Sequence, residues 1–160
     1  MRLSHATTAD IARLERFDLG DTNSSAWLAE VAEIVSDLLG WRDAHPELDR
    51  QVLVLEADDA TVAAVAAHEA EEYENDGILL DRRYLMVTAV RADARRGGLA
   101  RLLVTSVIAD MQSAGARTVS WLVHQDNAAS LAFSRNTFDE ADERQPPEDK
   151  PYIRFTLYLV

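Results

Sequence analysis

A chain of 160 residues with 16 Lys and Arg against 28 Asp and Glu carries a formal charge of −12 and contains no cysteine. That balance argues against nucleic acid, whose binding depends on a basic surface that neutralises phosphates, and it suits a cationic partner or substrate. Without cysteine there is no disulfide framework, no thiolate nucleophile and no cysteine-based zinc site. The length fits a single domain over residues 1–160. The opening MRLSHATTADIARLERFD is too polar for a signal peptide, and no apolar run approaches the roughly 20 residues of a membrane span. A soluble cytoplasmic protein is expected.

Strands and helices alternate along the chain. Arg2 to His5 reads as a short strand, and Thr8 opens TADIARLERF, where Ile11, Leu14 and Phe17 recur at helical spacing behind a threonine cap. After DLGDTNSS, the segment AWLAEVAEIVSDLLGW sets Trp27, Leu28, Val31, Ile34, Val35, Leu38 and Leu39 on one helical stripe, with Ser24 or Ser25 as cap and Gly40 near the end. Three antiparallel strands follow, Val52 to Glu56, Thr61 to Glu69 and Arg83 to Val90, with turn signals at Asp58-Asp59 and Asn75-Asp76-Gly77. Gly98 to Ser113 carries Leu99, Leu102, Leu103, Val107, Ile108 and Met111 at helical spacing and stops at Gly115. Thr118 to Val123 is again a strand, and Asp126 to Phe138 a helix capped by Asp126 or Asn127. The breakers in DEADERQPPEDKP bar regular structure through its middle, and YIRFTLYLV closes the chain as an alternating strand.

Strand, glycine loop, helix and strand from Arg83 to Val123 make a crossover unit, so the two strands should run parallel within a mixed sheet. A glycine-rich loop feeding a helix N-terminus cradles anions, because the first-turn amides lack partners and point outward with the positive end of the dipole. A phosphorylated ligand is expected there. The loop lacks the Lys-Ser/Thr pair of a Walker motif and does not read G-x-G-x-x-G.

What it does read is R-x-x-G-x-A, as Arg95-Arg96-Gly97-Gly98-Leu99-Ala100. With its setting, this resembles the pyrophosphate-binding motif of the GNAT superfamily of acyl-CoA-dependent N-acyltransferases. The order of elements matches over nearly the whole chain, and VHQDNAASLAFSRNTF (Val123 to Phe138) resembles the family's second CoA-side segment, V-x-x-x-N-x-x-A/S ending in Y-x-x-x-G-F. The resemblance implies a single α/β domain with a mixed, mostly antiparallel sheet of six to seven strands flanked by helices and a β-α-β CoA-binding crossover. It implies acetyl-CoA as co-substrate and no metal. Backbone amides from Arg96 to Ala100 would surround the pyrophosphate, the Arg95 and Arg96 guanidinia would add charge, and Val90 and its strand neighbours would bond the pantetheine arm. Asn127 would cap the next helix while reaching the pantetheine. A tight turn, a solvated arginine pair and a plain helix cap account for the same residues without a ligand.

Departures from the family pattern concern the chemistry. If Asn127 is the family's Asn, Ser130 takes the small-residue place and Ser134 the place of the tyrosine that protonates the thiolate. If the spacing is set from Thr137-Phe138 instead, Asp126 takes the Asn place and Phe133 the Tyr place. Neither register supplies a tyrosine. For the general base, the fourth-strand position used by several family members is Tyr84, with His68, Glu69 and His124 as further candidates; His124 has a reference pKa near ~6.5 and stands at a strand end. The acids Glu69, Glu71, Glu72, Glu74 and Asp76 around the hairpin would attract a cationic small-molecule or peptide amine, or are simply a solvated tip. Two functions stay open: an N-acetyltransferase acting by direct transfer in a ternary complex, and a catalytically weak acyl-CoA-binding sensor or scaffold. A homodimer is the family's habit.

Overall fold

The apolar and β-branched runs at the centre of the chain pair as strands, and the segments with helical stripes cover the two faces of the sheet that results. A computed structural model describes residues 1–20, 30–73, 76–145 and 150–160. Within them the strands are β1 (Arg2–His5), β2 (Gln51–Glu56), β3 (Val62–Tyr73), β4 (Gly77–Val90), β5 (Thr118–His124), β6 (Asp142–Arg144) and β7 (Tyr152–Tyr158). The helices are α1 (Thr8–Leu14), α2 (Val31–Ala44), α3 (Leu99–Ser113) and α4 (Ala128–Thr137), with single 3-10 turns at Pro46–Leu48 and Ala92–Ala94. All seven strands join one sheet in the order β1-β2-β3-β4-β5-β7-β6. Every neighbouring pair is antiparallel except β4 and β5, which are parallel, as a strand-helix-strand crossover requires.

Each face has its own core. On one, Leu99, Leu103, Val107, Ile108 and Met111 of α3 pack on Leu53, Leu55, Ala64, Ala66, Leu85, Val119, Trp121 and Phe155. On the other, Leu14, Phe17, Val31, Val35 and Leu39 pack on Val52, Val54, Val65 and Ala67. The alanines of β3 take little volume, leaving room for the larger side chains of the helices on both sides. Trp121 is stacked on Phe155, ring centroids 5.4 Å apart, and meets Phe138 edge-on at 5.3 Å, which fixes α4 against β5 and β7.

Several boundaries differ from those read in the sequence. The hairpin between β3 and β4 continues as paired strand past Glu69, with Glu71 opposite Leu79 and Glu72 opposite Ile78; backbone pairing does not need apolar side chains where a face stays wet. Gly40 lies inside α2, which runs on to Ala44 and stops at His45, whose backbone (φ −130°, ψ 65°) has left the helical region before Pro46. Trp41 is exposed, its ring tilted over that of His45 with centroids 4.2 Å apart. The start expected for this helix, with Ser24, Ser25, Trp27 and Leu28, lies outside the described residues. Asp142–Arg144, in the charged connection, adds a short edge strand to β7. No described helix is long and apolar enough to cross a membrane.

Candidate active site

The sheet opens at its one parallel joint. β4 and β5 are in register only from Arg82 and Thr118 to Leu85 and Trp121, after which β4 continues to Val90 and β5 to His124 without pairing each other. The separated ends enclose a cleft of about 520 Å³ lined by residues of both, among them Tyr84, Met86, Thr88, Trp121, Leu122 and His124, and by Asn127, Ser130, Phe133 and Ser134 of the α4 segment. Just where the strands part, β4 is also irregular on its other edge. Ala67 is opposite Val87 and His68 opposite Leu85, so Met86 is an extra residue in a β-bulge. A bulge leaves one backbone position out of the ladder and turns it locally, here at the head of the cleft.

At its far end β4 runs into the glycine loop. Arg96 and Gly98 both have left-handed backbones, φ 72° and 75°, while Gly97 between them does not. This alternation is the backbone form in which successive N–H groups converge on an anion, and Gly98 is the N-cap of α3, whose first-turn amides have no partner one turn back. A Cβ built on Gly97 or Gly98 meets nothing within 4 Å, so the space over the loop is open. The Arg95 guanidinium turns inward: Nε donates to the carbonyl of Val90 at 3.1 Å and Nη2 to that of Leu19 at 2.6 Å. Arg95 thus holds the loop against the end of β4 and the segment after α1, while Arg96 is exposed.

The four residues considered as bases stand in four different environments. His68 is 2% exposed and away from the cleft. Its Nδ1 accepts from Arg83 at 2.9 Å, its Nε2 has no partner among the described residues, and burial followed by the Arg83 charge lowers its pKa to about 3. Glu69 accepts from Nε of Arg50 at 2.8 Å and from Nη2 of the same guanidinium, which lies 5.8 Å over the Trp41 ring. Tyr84 lines the cleft, and burial raises its pKa, so its phenol keeps its proton. His124 also lines it, edge-on to Tyr152 at 5.2 Å, with Nδ1 accepting the backbone N–H of Asp126 at 3.2 Å. A neutral ring whose Nδ1 accepts carries its proton on Nε2 and offers a donor there.

On the opposite wall Asn127 is the N-cap of α4, its Oδ1 accepting from the N–H of Ser130 at 3.0 Å. Ser134 is buried one turn further on and accepts from Trp121 Nε1 at 3.0 Å, while Phe133 packs edge-on to Phe138 at 6.5 Å. Ser134→Ala should leave the buried indole N–H unpaired and cost about 1–3 kcal/mol, read as a lower urea midpoint with an unchanged m-value; an unchanged midpoint would mean that water reaches the indole.

Sequence reasoning did not single out Met86, Tyr152 or Arg154. Glu71 accepts from Ser120 Oγ at 2.6 Å and from Arg154, whose Nη2 also donates to Ser120 Oγ at 2.9 Å. With Glu69 on Arg50 and Glu71 on Arg154, two of the hairpin carboxylates counted toward a cationic acceptor already have arginine partners. Among the described residues no group of three or more His, Asp or Glu is placed to hold a metal ion.

The fold as a whole recurs in solved acetyltransferases. The ribosomal-protein-alanine N-acetyltransferase of Brucella melitensis superposes with TM-score 0.72 at 21% identity, over 99% of this chain and 100% of that one. The PaiA N-acetyltransferase of Thermoplasma acidophilum in complex with coenzyme A superposes with TM-score 0.67 at 12% identity, over 99% and 98%. An N-acetyltransferase of Staphylococcus aureus Mu50 does so with TM-score 0.69 at 15% identity, over 98% and 97%. These likenesses define the fold. Residues 10–138 match the acetyltransferase (GNAT) family, and the chain belongs to it. No curated protein matches it by sequence.

Proposed function

We propose that this acetyltransferase uses acetyl-CoA to acetylate a primary amine by direct transfer within a ternary complex. The observation that carries the reading is the parting of β4 from β5 beyond Leu85 and Trp121, with the freed length of β4 leading straight to the open Gly97-Gly98 loop. The residues present fit such a ligand. Amides from Arg96 to Ala100 face the open space where a pyrophosphate would lie, with Arg96 adding charge and Arg95 holding the loop in shape. Backbone groups of β4 past Leu85 are not paired with β5 and would be available to an extended pantetheine amide chain as far as Val90, whose carbonyl accepts from Arg95. Asn127, Ser130 and Phe133 form the facing wall. The relative from Thermoplasma acidophilum is in complex with coenzyme A.

Acetyl-CoA supplies the activated thioester: the amine nitrogen forms the new C–N bond, the C–S bond breaks with its electron pair leaving on sulfur, and the proton lost by nitrogen passes to solvent. The chain's part is positioning and polarisation. The backbone at the Met86 bulge, out of the ladder with β3, would be the group to polarise the thioester carbonyl, and Tyr84 and His124 line the same cleft. We assign no base among His68, Glu69, Tyr84 and His124: the first two are held by arginines, burial keeps the proton on Tyr84, and His124 Nδ1 already accepts the N–H of Asp126. Catalysis rests on proximity, and a thiol of pKa near ~8.5 leaves without an acid. The same lack of a poised base favours the sensor as the second reading.

Acetyl-CoA at a hundredfold excess over its Kd should stabilise the protein by about 2.7 kcal/mol, a rise in melting temperature of roughly 5–10 °C for a domain of this size. Thiol release with an amine, at a rate rising with pH toward that amine's pKa, would mark the enzyme. A rise without release from any amine would mark the sensor, and no rise would refute both.

A further inference from the structure

The helices α1 and α2 pack on Val52, Val54, Val65 and Ala67, so they cover the β1–β4 half of their face of the sheet. Beside them, on the same face, β5 and β7 present Ser120, Leu122, His124, Tyr152, Arg154 and Tyr158 by strand alternation, and Leu122 is 42% and Tyr152 40% exposed. Leu122, His124 and Tyr152 line the cleft, so an acceptor approaching the thioester from this face lies on this bed. In its floor is Arg154. The guanidinium reaches across β5 from its place opposite Leu122 and is fixed by Nη2 alone, which donates to Glu71 and to Ser120 Oγ. Nε and Nη1 have no hydrogen bond among the described residues, and the side chain is 39% exposed. Glu71 therefore orients an arginine whose other edge is free.

We infer that the acceptor is a free α-amino acid, its carboxylate bound by Arg154 while its amine faces the cleft. This rests on the acetyltransferase reading above. Distances agree. Ser120, which the guanidinium touches, is one two-residue step below Leu122, roughly 6.6 Å along the strand, and Leu122 stands just past the point of parting. In an α-amino acid the nitrogen is roughly 3 Å from the nearer carboxylate oxygen, and a guanidinium–carboxylate bond adds roughly 2.8 Å. An amine anchored through Arg154 is thus carried to the level where β4 and β5 have separated. Charge agrees as well. An amino acid carries no net charge, and its carboxylate would be held by a local arginine whatever the net −12 of the chain. The transfer is the one already written: the amine, as free base, gains the acetyl carbon and gives its proton to solvent, and the carboxylate takes no part in bond making. A protein N-terminus has its carboxylate replaced by a peptide bond and offers nothing for Arg154 to bind.

The test is thiol release from acetyl-CoA with matched trios built on alanine, leucine and phenylalanine: the amino acid, its carboxamide and the decarboxylated amine. The expected result is a kcat/KM at least about tenfold higher for the amino acid than for either analogue in one or more trios. Arg154→Gln should erase that ratio, and Arg154→Lys should restore part of it. A general weakening of the fold would lower all three rates together and leave the ratio intact, so equal losses across a trio overturn the inference. Equal or better use of the carboxamide also overturns it. So does release from none of the nine compounds while acetyl-CoA still raises the melting temperature, an outcome that leaves the cofactor reading standing; only the loss of that rise removes both.

Discussion

Gly98→Val should leave a folded protein that acetyl-CoA no longer stabilises. Gly98 stands at φ 75°, in the left-handed region, which costs an L-residue roughly 1–2 kcal/mol and a β-branched one more. No protein atom lies within 4 Å of the added Cβ, so the penalty is backbone strain without collision, and the melting temperature should fall by roughly 3–8 °C. Binding should suffer far more. Valine would either swing the backbone out of the left-handed region, dispersing the amides of Leu99 and Ala100, or hold it and stand its methyls over them. Gly97→Ala is the control: its φ is not positive and its surroundings are as open, so it should bind acetyl-CoA within a few-fold of the parent. Thermal unfolding of the three proteins across an acetyl-CoA titration reads this, and a rise in Gly98→Val equal to that of the parent would remove the loop from the binding site.

Acid should begin to destabilise the fold near pH 6.5, above the carboxylate range, because of His68. Its folded pKa, about 3, is below the ordinary histidine value of 6.5, first because it is buried and second because Arg83 faces it, with His5 adding in the same direction and Asp49 opposing. The sign follows directly. Below pH 6.5 the unfolded chain takes up a proton that the folded chain refuses until near pH 3, so stability is greatest above 6.5 and declines as pH falls between the two values. The slope is about 1.4 kcal/mol per pH unit, or roughly 2–3 kcal/mol between pH 6.5 and 4.5. Carboxylates with lowered pKa values, such as Asp10 and Glu143, release their stabilisation only further down. His68→Asn keeps an acceptor for Arg83 and cannot be charged, so its urea midpoint should be flatter over that window than the parent's. Parallel curves would refute the assignment.

Local pattern carried the architecture. Helical stripes in α3 and α4, alternation in β7 and the glycines between β4 and α3 are each visible within a dozen residues, and together they dictate the crossover and the loop. The strand hairpin was shorter in the sequence reading because Glu71 and Glu72 break the apolar alternation while still pairing through the backbone. The site's chemistry depended on partners that no window contains. Arg50 is 19 residues from Glu69, and Arg154 is 83 from Glu71; only the sheet register joins them, and they offset two of the five acids expected at the acceptor side. The bulge at Met86 is likewise a mismatch between two strands and has no signature in either one.

The short register between β4 and β5 also has a mechanical meaning. β1 to β4 and β5, β7 and β6 are two antiparallel half-sheets, and they meet in a seam that stops at Leu85 and Trp121. Below that point the seam is closed by backbone bonds; above it the edges face each other like an unfastened zip. Whatever occupies the gap touches both halves at once and finishes the fastening, so the place where this protein gives up backbone bonding is also where a small molecule counts as part of its framework.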